Sequence, residues 1–295
     1  MEQHESTAAQ PSAPGDRSVW EVDCGRRPVS DRAGQPLWEW VACDRTGTFV
    51  HRQVAPQGDV NRDWIQGQIL AAAGPEGSLP KELVLFRPEA LGLVETAARE
   101  LGIAVRGSRQ TPTLKAWLRH HYQQHPLRDR DTGGPYDPLA LVQRPPLPIA
   151  ATLQGERWRF AALPVGEFEP LWRDRPVPLK SLPAAHSPLA LGLASDLPLP
   201  GIVIDAGRSA MPMARWLWQQ EPFAVQFMLG QPDGAILEAG LSDRWVLATS
   251  ADAEVRAAGH TFENRKRAAQ GLHFLLIRPD ESDRTHTALW LLKGD

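Results

Sequence analysis

The stretch VWEVDCGRRPVSDRAGQPLWEWVACDRTGTFVHRQV, residues 19–54, decides the fold. Val19 to Cys24 alternates large apolar and acidic side chains with the period of two that a half-buried strand demands. Ser30 to Pro36 brings Gly34 and Pro36, residue types that turn a chain. Leu37 to Cys43 resumes the alternation, with Trp38 and Trp40 on one face, and Thr48 to Val54 supplies a third run. Short turns between such runs join antiparallel neighbours, so the stretch is read as a three-strand meander.

Downstream, the period changes. Asn61 is placed to cap a helix through Ala73, with Trp64, Ile65, Gln68 and Ile69 on one face. Glu82 to Phe86 reads as a short buried strand, and Glu89 to Leu101 as an amphipathic helix stopped by Gly102. Ile103 to Val105 is another strand, and a helix is expected from Thr113 to His125. Three strands followed by alternating helices and strands is a ribonuclease-H-like order, and alternation of that kind argues for parallel pairing through helical crossovers.

From Pro126 to Pro200 the chain holds fourteen of its 27 prolines, a spacing that breaks helices and central strands alike. Residues 127–147 are read as an exposed linker, with one strand pair at Pro148–Leu153 and Arg157–Leu163 and irregular segments beyond. A second compact region starts near Leu199. It has strands at Ile202–Ile204, Phe223–Leu229, Ala235–Ser250, Leu272–Ile277 and Ala288–Leu292, and helices at Met211–Gln220 and Ala253–Gln270. The expectation is an α/β protein of two domains, 17–126 and 148–295, the second the smaller α/β domain. Residues 1–16, without Lys, Arg or an apolar run, read as a disordered tail rather than a leader peptide, which implies a cytoplasmic protein.

A length of 295 residues suits two cores, and 42% apolar with 23% charged residues is the globular norm. Nothing approaches the ~20 apolar residues that span a bilayer. The net charge of −3 does not advertise a nucleic-acid partner. Residues 17–126 nevertheless carry fourteen Lys plus Arg against twelve acids, and the chain has 27 Arg against 5 Lys. Arginine forks onto phosphates and stacks on bases in ways lysine does not, although a GC-rich genome gives the same bias. Eleven Trp add aromatic surface of the kind single-stranded RNA recognition uses. Most Trp is core, so RNA binding is admitted by composition rather than demanded. Trp216 and Trp218 flank two sides of a helix, which leaves one of them exposed. Cys24 and Cys43 read as buried small hydrophobes.

Catalytic constellations are sparse. A two-metal nuclease needs several acids converging on cations ~4 Å apart. Asp23 sits suitably on the first strand with Glu21 on the same face, but the following helix offers only Asp63 and the fourth strand ends without an acid. His121 and His125 share a helical face as a metal pair would, without a third ligand, and read as a solvated helix end. Gly207-Arg208-Ser209 precedes a helix as in a phosphate site, but lacks a nucleotide fingerprint.

Arg27-Pro28, Trp38-Glu39, Cys43-Asp44, Val60-Asn61, Phe86-Arg87 and Leu101-Gly102-Ile103 resemble the N-terminal pattern of the TAB/ATAB family. These are RNA-binding proteins of cyanobacteria and plastids that support translation of photosystem reaction-centre subunits. Ser108-Arg109 matches with Gln110 in place of a second Arg. Gly207-Arg208-Ser209 is similar to a family Ser-Ser-Arg, while Arg244-Trp245, Gly271-Leu272-His273-Phe274 and the closing Trp290-Leu291-Leu292 agree well. The resemblance implies single-stranded A/U-rich RNA as partner, notably the leader of a photosystem I message, alongside translation or photosystem-assembly proteins. It implies no catalysis, cofactor or metal. Arg27, Arg87 and Arg109 are the expected phosphate or base contacts at strand ends, with Arg208 and Arg244 in the second region; Trp38, Trp245, Trp290, Leu291 and Leu292 are family hallmarks. Two alternatives stand beside it: an assembly factor that docks proteins through Trp-rich faces, and a divergent metal-dependent nuclease acting through Asp23.

Overall fold

The computed structural model describes residues 17–74, 77–128 and 134–294. The expected tail at 1–16 lies outside them. The chain divides into two compact units after Val142.

In the first unit, β1 (Val19–Ser30), β2 (Pro36–Asp44) and β3 (Val50–Pro56) form the expected antiparallel meander. The chain then passes through α1 (Arg62–Ala73), β4 (Glu82–Leu85), α2 (Leu91–Glu100), β5 (Ala104–Gly107) and α3 (Pro112–Gln124). β4 joins β1 in parallel and β5 joins β4 in parallel, giving the ribonuclease-H-like order β3-β2-β1-β4-β5. Asn61 caps α1, its side chain accepting from the Trp64 amide at 3.0 Å.

Alternation sorts the two sheet faces. Trp20, Val22, Cys24, Trp40 and Ala42 pack with Ile65 and Ile69 of α1 and Val94 and Ala98 of α2. Fully burying each such large side chain contributes about 1.5–3 kcal/mol. The opposite face places Val41, Cys43 and Phe86 against Leu114, Leu118 and Tyr122 of α3. The two cysteines therefore lie on opposite faces, both free and buried. Burial pushes the Cys24 thiol up to about 12.

Leu127, Tyr136, Leu139 and Leu141 close the α3 face, so this part of the segment expected as an exposed linker is core. The reason is chemical: four large apolar side chains there outweigh the prolines between them. The expected strand pair at 148–163 also differs. β6 (Leu147–Pro148) pairs instead with β12 (Asp243–Ser250), and residues 151–153 form a 3-10 turn. β7 (Arg157–Pro164) pairs with β9 (Pro198–Asp205).

The second unit continues with α4 (Val165–Arg173), unforeseen because it carries Pro170, and β8 (Leu179–Ser181). α5 (Ala210–Gln220), β10 (Pro222–Met228), β11 (Asp233–Ala239), α6 (Ala253–Ala268), β13 (Leu272–Arg278) and β14 (Ala288–Lys293) complete it. Its sheets run β10-β11-β12-β6 and β7-β9-β13-β14-β8, so the second unit carries nine of the described strands against five and is not the smaller one. Val225, Leu237, Ile202, Leu275 and Trp290 meet between the two sheets with α5 and α6. The other face of the five-stranded sheet holds Phe274 and Leu291 against Phe168 and Trp172 of α4. The closing Trp290-Leu291-Leu292 thus feeds both cores in turn, as the strand period requires.

Candidate nucleic-acid interface

The α3 face of the first sheet holds a buried charge network. Gly25 stands opposite Glu39 in the β1–β2 register, and Asp23 lies two residues before it on the same face. Arg27, only 3% exposed, donates to Glu39, to Asp23 at 3.0 Å and to the Tyr136 hydroxyl at 2.6 Å. Arg87, two residues beyond the end of β4, brings Nε within 2.8 Å of Asp23 Oδ1, an ion pair off the hydrogen-bond direction. Its terminal nitrogens donate to the carbonyls of Pro138 and Ala140. A Cβ on Gly25 would stand 2.4 Å from Arg87 Cδ, so glycine is what lets this side chain cross β1. Glu39, fully buried, also accepts from Arg52 and from the Tyr122 hydroxyl at 2.8 Å.

The charges balance in an informative way. Two carboxylates face three guanidiniums within 3.0 Å, a formal +1, with Glu89 a looser acid at 3.9 Å from Arg87. Burial works against the Arg27 charge, but Asp23 and Glu39 outweigh it and push its pKa up. Both Asp23 oxygens are engaged by arginine, and β4 is followed by Phe86 and Arg87 rather than by an acid. The carboxylate that a two-metal nuclease would use is thereby neutralised.

The expected contacts Arg27 and Arg87 are therefore not at the surface: their guanidiniums are spent inside the unit. Arg109 is half-buried in the turn after β5. Trp38 is half-buried against the α1–α2 core.

Above the network runs α3. Trp117 and His121 stack in parallel, ring centroids 4.8 Å apart and planes 9° apart, and His125 follows His121 at 4.8 Å. Tyr122 meets the His121 ring edge-on at 5.0 Å. The His121 and His125 rings are tilted 49° to each other, and no group of three metal-ligating side chains gathers among the described residues. Partial burial, then the nearby Arg52 charge, lowers the His121 pKa and favours the neutral ring. Arg52, on the edge strand β3, is 39% exposed.

In the second unit, Arg208 is exposed on the 3-10 turn Gly207–Ser209 before α5. The backbone there is not an anion cradle. The Gly207 amide donates to Pro279, Ser209 to Ala206, Ala210 to Gly207, and Pro212 has no amide to offer. Arg244 is buried and donates to the Arg144 carbonyl at 3.0 Å. Trp245 meets Trp216 edge-on at 5.4 Å, Trp290 is buried with Leu291 and Leu292, and Trp218 is the exposed member of its pair at 47%.

Sequence reasoning missed Glu39 as the hub of the network, and Arg52. It also missed a signal for the surface above: residues 101–128 contain no Asp or Glu while carrying five Lys or Arg and three His.

Comparison with known proteins agrees over both units. Residues 19–121 match the family described as RNA-binding protein Tab2/Atab2 N terminal, and residues 136–293 match RNA-binding protein Tab2/Atab2, C-terminal domain. The chain is 26% identical over 294 residues to "Protein TAB2 homolog, chloroplastic" of Zea mays, covering 92% of this chain and 70% of that protein. It is 26% identical over 287 residues to the Arabidopsis thaliana protein of the same name, covering 92% and 74%. Among solved structures, the catalytic core domain of BIV integrase aligns over 37% of this chain and 73% of its own, with 16% identity and a TM-score of 0.27. No helix among the described residues is long and apolar enough to cross a membrane.

Proposed function

The chain belongs to the Tab2/Atab2 family of RNA-binding proteins, and from that premise we propose that it binds single-stranded, A/U-rich leader RNA and supports translation or biogenesis of photosystem reaction-centre subunits. The observation that carries the reading is the family match, which extends through both units rather than one. We place the protein in the cytoplasm of a cyanobacterium, acting without catalysis and alongside translation or photosystem-assembly proteins. Neutralisation of Asp23 by two arginines supports the non-catalytic reading.

Of the five arginines expected to touch RNA, Arg208 is an exposed residue and Arg109 a half-buried one. Arg27, Arg87 and Arg244 serve the interior. A protein-docking role draws on the exposed Trp218. Salt separates the two: binding through phosphates weakens with slope about −0.7 per contact on a single strand, whereas an apolar contact holds.

The test is ultraviolet crosslinking in native cells with sequencing of the attached RNA, paired with a salt series on purified protein. Enrichment of A/U-rich photosystem leaders and a steep salt slope are expected. Background-level RNA beside a co-purifying protein would overturn the reading.

A further inference from the structure

The outer surface of α3 and the adjoining edge strand β3 combine three features in one place. The first is charge. Residues 45–58 and 101–128 contain no acidic residue, although the whole chain carries −3. These segments touch, since the Thr113 hydroxyl donates to the Arg45 carbonyl at 2.9 Å and Arg52 lies near enough to His121 to depress its titration. Arg45 is exposed, and Arg52 is half-exposed.

The second is an aromatic column. Trp117, His121 and His125 follow at i, i+4 and i+8, the spacing that lines up side chains on one helical face. Trp117 and His121 stack in parallel at 4.8 Å, and the exposed His125, its ring tilted 49° to His121 at the same spacing, ends the column. The third is rigidity. The buried Glu39 holds Arg52 by one edge and Tyr122 by its hydroxyl, and Tyr122 in turn braces the His121 ring. An arginine and a ring held in place beforehand lose less conformational freedom on binding.

From these we propose that this surface is the single-stranded RNA site of the protein: bases stack onto the Trp117–His121–His125 column, and phosphates run along β3 against Arg52 and Arg45. The proposal rests on the RNA-binding reading and adds its location. Column plus cations is the combination single strands need, because only unpaired bases offer free faces and every base has one. A duplex hides those faces.

The test uses the full chain and a twelve-nucleotide A/U RNA, single-stranded or annealed to its complement, with fluorescence anisotropy and mass-spectrometric mapping of photocrosslinks. Crosslinks are expected within residues 45–56 and 112–128, with the duplex bound more weakly. His125→Ala is expected to weaken binding by roughly tenfold, a typical loss for one stacked base. Arg52→Gln is expected to lower the salt slope by about 0.7. Trp117 is half-buried, so Trp117→Leu, which keeps apolar packing but removes the ring face, is compared with Trp117→Phe, which restores it. Arg157→Gln, at an exposed pair with Glu281 in the second unit, serves as the unaffected control. Unchanged affinity in His125→Ala and Arg52→Gln, with crosslinks elsewhere, overturns this site while leaving RNA binding intact. Failure of the unaltered protein to bind any RNA overturns both. Crosslinks from α3 to a co-purified protein instead of RNA overturn the proposal in favour of a protein interface.

Discussion

Asp23→Asn separates a structural carboxylate from a catalytic one. In the fold, Asp23 has no solvent exposure and compensates Arg27 at 3.0 Å and Arg87 at 2.8 Å. The substitution preserves shape and one acceptor oxygen. Arg87 keeps the Pro138 and Ala140 carbonyls, and Arg27 keeps Glu39 and Tyr136. What disappears is charge: three guanidiniums then face one carboxylate, raising the local formal charge from +1 to +2. Removing one partner of a buried pair costs about 3–5 kcal/mol, and the surviving hydrogen bonds argue for the lower end. About 3 kcal/mol is a large share of the stability of any single domain. Because the protein has two units, a single global unfolding curve is not the right readout. Hydrogen exchange resolved by peptide is: residues 19–24 and 82–85 report the first unit, and residues 272–278 of the second provide an internal reference. A loss of 3 kcal/mol accelerates exchange in the first unit roughly 150-fold at about 1.4 kcal/mol per decade. Acceleration below about tenfold refutes the reasoning. A nuclease reading expects the reverse pattern, unchanged exchange together with loss of metal-dependent RNA cleavage.

Gly25→Ala is expected to push Arg87 out of place, since the new Cβ would lie 2.4 Å from Cδ, and to cost about 1–3 kcal/mol in the same exchange assay. Gly67→Ala, on the open side of α1 with no atom near the added Cβ, is expected to stabilise by about 0.5–1 kcal/mol instead; equal effects at the two glycines refute the packing argument. The second unit is expected to weaken on mild acidification. His273 is buried, with its Nδ1–H donating to the Gly271 carbonyl and its Nε2 accepting from the Val225 amide, each at 2.8 Å. Burial drives its pKa down to about 3. Above about pH 6.5 the ring is neutral folded or unfolded; below it the unfolded chain takes up a proton that the folded one refuses, so stability falls towards pH 3. Protection of residues 272–278 in peptide-resolved hydrogen exchange, corrected for the intrinsic pH dependence, should drop between pH 6.5 and 5, less so in His273→Gln, and an equal drop in both would refute the assignment.

Much of the first unit was legible because its signals are local. Alternation marks β1–β3, and the Asn61 cap and the Gly102 stop bracket helices without help from distant residues. α4 was hidden by a rule that is sound on average. Val165, Phe168 and Trp172 repeat at helical spacing and are buried, yet Pro170 inside the segment argues against a helix. Burial of two aromatic rings outweighed one missing hydrogen bond. Tyr136 and Leu139 read as linker because prolines surround them, whereas their packing depends on a surface built by α3, which sequence spacing does not show. The arginines were misplaced for a related reason. An Arg at a strand end reads as a surface cation until its counter-ion is known, and the pairing of Arg27 and Arg87 with Asp23 and Glu39 exists only through the β1–β2 and β1–β4 registers.

That network also bears on how such a sheet can handle RNA. Cleavage by metals needs carboxylates that stay available to cations, hence a site whose fixed charge is negative. Here the same face carries Arg87 just after β4 and Arg27 on β1, and the excess charge is positive. Glu39 passes that excess outward, because the carboxylate that compensates Arg27 inside also grips Arg52 at the surface. A buried carboxylate shared by one interior and one half-exposed guanidinium couples core integrity to the geometry of the outer cation. On this argument Glu39→Gln disturbs RNA affinity without touching RNA. The loss should exceed that of Arg52→Gln, since it frees Arg52 and loosens the Tyr122 hydroxyl beneath His121 in one step.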